Sequence, residues 1–390
     1  MVQLASTLVA GLAGLASVVS AHPGHDVKAE AAERAAFLKN APLRSRSLDQ
    51  CATKLRARGQ EQRNIARREQ AVKNLRRSMG LQSRSHFLKA RDLDTVLNTT
   101  HHSTQDVDLS TDPNVLFADE ATCILAPDVT QGPYYVSGEL IRNNIVEDQE
   151  GVPLYLDIQL IDTNTCEPVP QVYLDFWHCN ATGVYSGVVA SGNGDSDDES
   201  NIDSTFLRGL QKTNTDGIVQ FQTIFPGHYT GRATHIHVLT HPANETSVLP
   251  NGTITGLYNT KTSHVGQIFF DQDLISVVEE TSPYSTNTQE LTTNAEDSIL
   301  AEEADTIDPF VEYVLLGDDV SEGVFGWISV GIDATENTSV TPAAYLTEDG
   351  GVENENSGMG MGGGGGAPPS GSGVPSGVPS GAAPSGSASA

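Results

Sequence analysis

Seven short runs between residues 154 and 333 share one trait: apolar side chains recur at every second position, and turn formers close each run. In LYLDIQLID (154–162), Leu154, Leu156, Ile158 and Leu160 alternate with Tyr, Asp and Gln. VYLDFWHC (172–179), GIVQFQTIF (217–225), HIHVLT (235–240), VGQIFF (265–270), VEYVLLGDD (311–319) and FGWISVGID (325–333) are similar, and Asn, Asp, Gly and Pro separate them. A period of two buries one face of a strand, whereas a helix needs 3.6. No helical pattern of length interrupts the series, which argues against alternating βα units. The chain therefore reads as mainly β: an antiparallel β-sandwich over residues 106–350, with an N-terminal α-helical arm and a disordered C-terminal tail.

The two ends read differently. Residues 1–21 are an uncharged apolar run that closes on Val19-Ser20-Ala21, small residues suited to signal cleavage before His22. No other segment approaches the roughly 20 apolar residues of a membrane span, so a secreted, extracellular protein without a membrane partner is expected. Asn98, Asn180, Asn244, Asn251 and Asn337 then become candidate glycosylation sites. Residues 22–105 carry Ile65, Val72, Leu75 and Met79 at helical spacing. Two readings of this arm stand side by side. It is a dimerisation arm or removable prosegment, with Arg67-Arg68 and Arg76-Arg77 as processing points, or it is a helix packed on its own body. Residues 351–390 end in a Gly/Ser/Pro-rich stretch without aromatic or charged residues from Met359 onward. Such a tail cannot bury enough apolar surface to order itself, and it reads as a solubilising tail or a cell-wall tether.

Of 22 Lys and Arg residues, 17 precede residue 105 against 8 acidic ones, so the body holds 5 basic and 42 acidic residues. A body this acidic does not seek nucleic acid or an anionic membrane. Cys51, Cys123, Cys166 and Cys179 form an even set in an oxidising compartment. Cys166 lies in the turn between two expected strands (154–162 and 171–178), and Cys179 lies at the far end of the second, roughly 20 Å away. Bridged Cα atoms lie within about 7 Å, so each of these two reaches back to Cys51 or Cys123. Cys123–Cys179 is the preferred pair.

The chemistry concentrates in GHYTGRATHIHV (227–238). On a strand, His235 and His237 project to one face while Ile236 enters the opposite layer. Pro226-Gly227 and Gly231 give Tyr229 a rigid bend and backbone freedom, so its phenol can turn back to the same point. A second phenol, Tyr185, follows another strand. A phenol with its ordinary pKa near 10 becomes a ligand only to a hard, highly charged cation. Zinc prefers Cys and His, and calcium and magnesium prefer carboxylates and carbonyls, which leaves Fe(3+), one per chain. His178 reads as a satisfied buried histidine, His228 as exposed, Trp177 as core and residues 195–199 as a solvated loop.

With GPYYV (132–136), DFWHCNATGVYSG (175–187), TDGIVQFQTIFPGHY (215–229) and RATHIH (232–237) in this order, the chain resembles the intradiol ring-cleavage dioxygenases, especially their secreted fungal members. The resemblance runs from about Thr122 to Asp271. It implies Tyr185, Tyr229, His235 and His237 as ferric ligands, Tyr229 and Arg232 as catalytic residues, and Pro133, Tyr134 and Tyr135 as substrate contacts. It also implies a small aromatic diol and O2 as partners, opened to a muconate-type diacid without an organic cofactor. One departure is the short Thr230-Gly231 link between Tyr229 and Arg232, where the bacterial members have a longer loop that walls the substrate pocket. The substrate therefore stays open. The secreted members also lack much of the helical dimer domain, so residues 22–105 are not equated with it, although these helices offer a route to a homodimer.

Two rival readings accompany this one. A non-catalytic β-sandwich could bind cell-wall or phenolic material through the same scaffold. More remotely, the amine and imidazole of His22 could hold copper.

Overall fold

A computed structural model of the 390-residue chain describes residue 32 and residues 48–81, 122–124, 134–190, 193–194, 197–242, 246, 248–254, 261–304 and 308–355. Two sheets face each other. The first is built on the strand Pro153–Asp162. The strand Val324–Ile332 runs parallel to it, from Val324 opposite Leu154 to Ile332 opposite Asp162. On the far edge of Val324–Ile332 lie Glu312–Leu315, antiparallel, and Thr122–Ile124, parallel. Ile218–Ile224 and Glu167–Pro168 complete the sheet on the other side. The second sheet is antiparallel throughout, in the order His264–Phe269, His235–His241, Tyr173–Trp177, Arg208–Lys212.

Alternation fills the space between them. Leu154, Leu156, Ile158 and Leu160 join Leu174, Phe176, Ile236, Val238 and Ile268 in one buried core. The sandwich is thus as expected, with two parallel ladders added to its first sheet. The reason is visible in Val324–Ile332, whose nine residues are all buried. A strand covered on both faces reads as a near-continuous apolar run, the habit of parallel interior strands.

Its second cover is the N-terminal helix Gln60–Met79. Ile65 and Val72 pack on Val314, Leu316, Phe325 and Trp327. Arg67 grips Asp157 through two bonds of 2.8 and 2.6 Å, and Arg68, fully buried, lies 3.6 Å from the same carboxylate. Asn64 donates to Gln159 at 2.8 Å, and Arg76 donates to the carbonyls of Leu315 and Leu316. The helix thus packs on its own body. Its apolar face is engaged within this chain, and both dibasic pairs include an arginine bonded to the sheet. Asp157, Gln159 and Tyr155 point outward from Pro153–Asp162, so their polarity matches the helix rather than solvent.

A disulfide between Cys51 and Cys166 (Cα–Cα 5.1 Å) pins the start of this region to the turn after Asp162. The preferred Cys123–Cys179 pair is corrected: Cys179 is a buried free thiol that donates to the carbonyl of Gly227 at 3.3 Å. The backbone explains it. Residue 123 pairs with Val330 in the first sheet, whereas Cys179 follows Tyr173–Trp177 in the second.

The expected boundary at residue 350 also moves. Gly350–Glu353 is a strand paired with Ala344–Thr347, which in turn pairs with Val136–Ser137, so the body runs to residue 355. The leader, residues 22–31, 33–47 and 82–105, the tail from 356, and the sequons at Asn98 and Asn244 lie outside the described residues. No described helix is long and apolar enough to cross a membrane.

Candidate metal centre

The strand His235–His241 turns Ile236 and Val238 into the sandwich core, so His235 and His237 share the face that points away from it. His235 donates Nδ1–H to the carbonyl of Ala233 at 2.6 Å, which leaves its Nε2 as a lone-pair donor. That Nε2 lies 3.0 Å from Nε2 of His237 and 3.2 Å from the hydroxyl of Tyr229. Ligands about 2.1 Å from one ion and roughly at right angles to each other are separated by about 3.0 Å. The three atoms therefore stand where adjacent ligands of one cation stand. The Tyr185 ring closes the group, with its centroid 5.6 Å from that of Tyr229 and 5.9 Å from that of His237.

Two glycines make this approach possible. A Cβ on Gly227 would collide with the backbone of Asn180 and Ala181, and one on Gly183 (φ +82°) would collide with the carbonyl of His228. The Asn180–Val184 turn and the Gly227–Tyr229 bend thus touch backbone to backbone, which brings the loops of the two phenols together. Asn180 organises its turn by accepting from Thr182 and Val184, and its amide nitrogen donates to Gln149 at 3.1 Å.

Each ring is held from behind. The Tyr185 backbone exchanges bonds of 2.7 and 2.8 Å with the Asn193 side chain and accepts 2.8 Å from Asn201. Arg208 fixes the next residue through the Ser186 carbonyl. Trp177 lies flat on His237, with ring centroids 5.0 Å apart and planes 6° apart. His228, expected to be exposed, is buried between Glu279 (2.8 Å) and the Gln289 carbonyl (3.0 Å). His178 is buried, bonded to the Cys179 carbonyl and the Thr223 hydroxyl, and burial lowers its pKa to about 4.

Arg232 is fully buried. Its Nε donates to Asp297 at 2.9 Å and its Nη2 to Gln267. The same Asp297 oxygen accepts from Ala233 at 2.8 Å, while the other accepts from Ile299 and Leu300 at the start of the helix Ser298–Ala304. The short Thr230-Gly231 link is walled by a distant segment: Gly231 donates to Thr292, and Glu290 donates to Thr230.

Of the expected substrate contacts, Tyr134 packs its ring 5.0 Å from Tyr185 and holds φ at +71°, a value non-glycine residues seldom adopt. Its buried hydroxyl has no hydrogen-bond partner among the described residues. Tyr135 packs against Trp177 instead, with ring centroids 5.4 Å apart and planes tilted by 46°. Pro133 lies outside the described residues. Asp297, Gln267, Asn193, Asn201 and Arg208 carry no local motif and were not singled out from the sequence. The site residues they hold lie 8 to 65 residues away in the chain.

Burial holds the Tyr185 phenol well above its ordinary pKa and raises that of Tyr229, against which the Arg232 charge acts. Only a strong positive charge at the rings would make them phenolates. Among the described residues, no group of three or more His, Cys, Asp or Glu could hold a metal. A cation here would thus complete its shell with phenols, which suits a hard trivalent ion.

Residues 128–294 match the family model described as Dioxygenase. An intradiol ring-cleavage dioxygenase from Tetranychus urticae is 31% identical, over 55% of this chain and 98% of that one, with a TM-score of 0.44. Catechol 1,2-dioxygenase 1 of Acinetobacter lwoffii is 28% identical over 109 residues, which are 26% of this chain and 32% of that protein. The match thus spans about a third of that curated relative. A hydroxyquinol 1,2-dioxygenase from Pseudomonas putida is 17% identical over 53% of this chain and 66% of that one, with a TM-score of 0.33.

Proposed function

The chain belongs to the intradiol ring-cleavage dioxygenases, and from that premise we propose that it opens catechol-type rings between the two hydroxylated carbons with O2. The observation that carries this reading is the approach of the Tyr229 hydroxyl and of His237 Nε2 to His235 Nε2, at 3.2 and 3.0 Å, beside Tyr185. Tyr185, Tyr229, His235 and His237 would hold a ferric ion. Bound there, it supplies Lewis acidity toward a diol and an electron-accepting character that makes the ring reactive to O2.

The residues of the chain do the rest. Tyr229 would be the side chain suited to take a proton from a diol hydroxyl once a bound cation holds it as phenolate, since burial raises its pKa and the Arg232 charge opposes that rise only in part. Arg232, held by Asp297 and Gln267, keeps a fixed positive charge in a dry site, where it stabilises negative charge developing on the ring. Tyr134 walls the site beside Tyr185, and Trp177 keeps the His237 ring in plane. Both oxygen atoms of O2 end in the two carboxyl groups of the product, so no external reductant is needed.

Secretion is part of the same reading. A long-range disulfide suits an oxidising compartment, and Asn251 and Asn337 are exposed sequons. The exported protein is expected to begin at His22, which N-terminal sequencing checks.

The test is oxygen uptake by the iron-loaded protein with catechol, hydroxyquinol and protocatechuate. One O2 consumed per diol, with a ring-opened diacid as product, is expected from at least one of them. In Arg232→Ala the rate should fall by about a hundredfold or more at unchanged iron content. No uptake with any of the three would remove the reading.

A further inference from the structure

Across the sandwich from the metal centre, the helix Gln60–Met79 does not cover the first sheet completely. Between its C-terminal half and the edge strand Ile218–Ile224 lies a cleft of about 250 Å³. Tyr155 and Phe325 contribute aromatic surface to it, and Asn74, Asn143, Gln220 and Gln222 present carboxamides around it. All four carboxamide residues are exposed, and Tyr155 is half-buried, so the cleft opens to solvent. Apart from the Tyr155 phenol no lining side chain is ionisable, in a chain whose net charge is −28.

This lining selects its ligand. A carboxamide both donates and accepts, so it pairs with hydroxyl groups and discriminates little in favour of an ion. Asn143, Gln220 and Gln222 stand on the strand side of the opening, where Gln222 pairs backbone to backbone with Asn143, and Asn74, whose oxygen accepts from Gln70, stands on the helix side. A ring with hydroxyls on its whole perimeter and an apolar face for the aromatic surface meets that arrangement. A simple phenol offers one or two hydroxyls and leaves most of the carboxamides unanswered. The volume is just under the usual range for ligand pockets, which begins at about 300 Å³, and suits one such ring. The wall is also rigid. Gln220 donates to Asp157 at 2.7 Å, the carboxylate that Arg67 grips, and Gln222 exchanges backbone bonds with Asn143 and Ile145.

We propose that this cleft is a binding site for a neutral saccharide, one ring of a polysaccharide chain. The site stands apart from ring cleavage, because Tyr155, Gln220 and Gln222 face outward from the first sheet and the metal centre faces outward from the second.

The experiment is calorimetric titration of the full-length protein with cellohexaose and with laminarihexaose, repeated on Asn74→Ala, Gln222→Ala and the double variant. Binding of at least one oligosaccharide is expected. Each single variant should weaken it between about twofold and tenfold, the worth of one neutral hydrogen bond, and the double variant should weaken it further. Both positions are exposed, so the unfolding midpoint and oxygen uptake should stay unchanged and report separately on fold and on ring cleavage. Absence of binding by both oligosaccharides at millimolar concentration overturns the proposal. So does binding that the double variant leaves intact, or a preference of the cleft for catechol or for an oligouronate.

Discussion

Asp297 sets the position of the charge at Arg232. One of its oxygens takes both the guanidinium Nε and the Ala233 amide, and the other caps the helix Ser298–Ala304. Asp297→Asn keeps an acceptor for the helix and weakens the grip on the guanidinium. Its kcat should fall by about tenfold to a hundredfold, with KM and iron content little changed. A purely structural role would instead lower iron content and the unfolding midpoint together. At this scale the sequence was legible wherever the chemistry was local. Tyr229, Arg232, His235 and His237 fall within nine residues, and strand alternation alone puts the imidazoles on one face. Asp297 and Gln267 were not legible, because an Asp or a Gln reveals nothing until the fold carries it across 65 or 35 residues.

The helix Gln60–Met79 shows the same limit for elements. Its period was readable, but what it packs on was not, since the matching partners Asp157 and Gln159 alternate with core residues of a strand. Asp157→Ala leaves Arg67 and the buried Arg68 without their carboxylate. About 3–5 kcal/mol of stability should be lost in urea unfolding, against a fraction of that for Arg56→Ala on the exposed side. Cys51→Ser opens a loop of 115 residues and should lose about 2–5 kcal/mol by the same measurement. The strands expected at 154–162, 217–225, 235–240, 265–270 and 325–333 end within a residue or two of those found. Arg208–Lys212 escaped notice because RGLQK has one apolar side chain, and Gly350–Glu353 because a polar hairpin resembles a tail. The segment 287–297 lies against the short Thr230-Gly231 link and is joined to it through His228 as well. Burial pulls the His228 pKa down, but bonds to Glu279 and the Gln289 carbonyl prevail and raise it. Its contribution is therefore complete below the ordinary histidine pKa and is lost as pH rises through the folded value. Hydrogen exchange at Thr230 and Gly231 should quicken, beyond its intrinsic rise, as the medium turns alkaline.

For the molecule as a whole, an acidic body and a buried acid act in one direction. Burial pushes Glu139 up to about 8, with Arg208 opposing and Asp175 adding to the rise. A group raised in the folded state stabilises fully below its unfolded pKa, near 4.5, and loses that effect between there and about 8. Asp157 behaves oppositely: hydrogen bonds from Arg67 outweigh its burial and lower its pKa, so its contribution fails only in stronger acid. Lower pH also relieves the repulsion within a chain of net charge −28. The unfolding midpoint should therefore climb from pH 8 to pH 5, and Glu139→Gln should flatten that slope. Above fold and stability stands the claim that two phenolates and two imidazoles share one ferric ion. Resonance Raman spectroscopy of the iron-loaded protein, excited in its visible band, tests it most directly. Phenolate ring modes from two tyrosines are expected, reduced to one set in Tyr229→Phe and in Tyr185→Phe and absent in the double variant. A colourless protein, or a visible band without phenolate modes, would contradict the account.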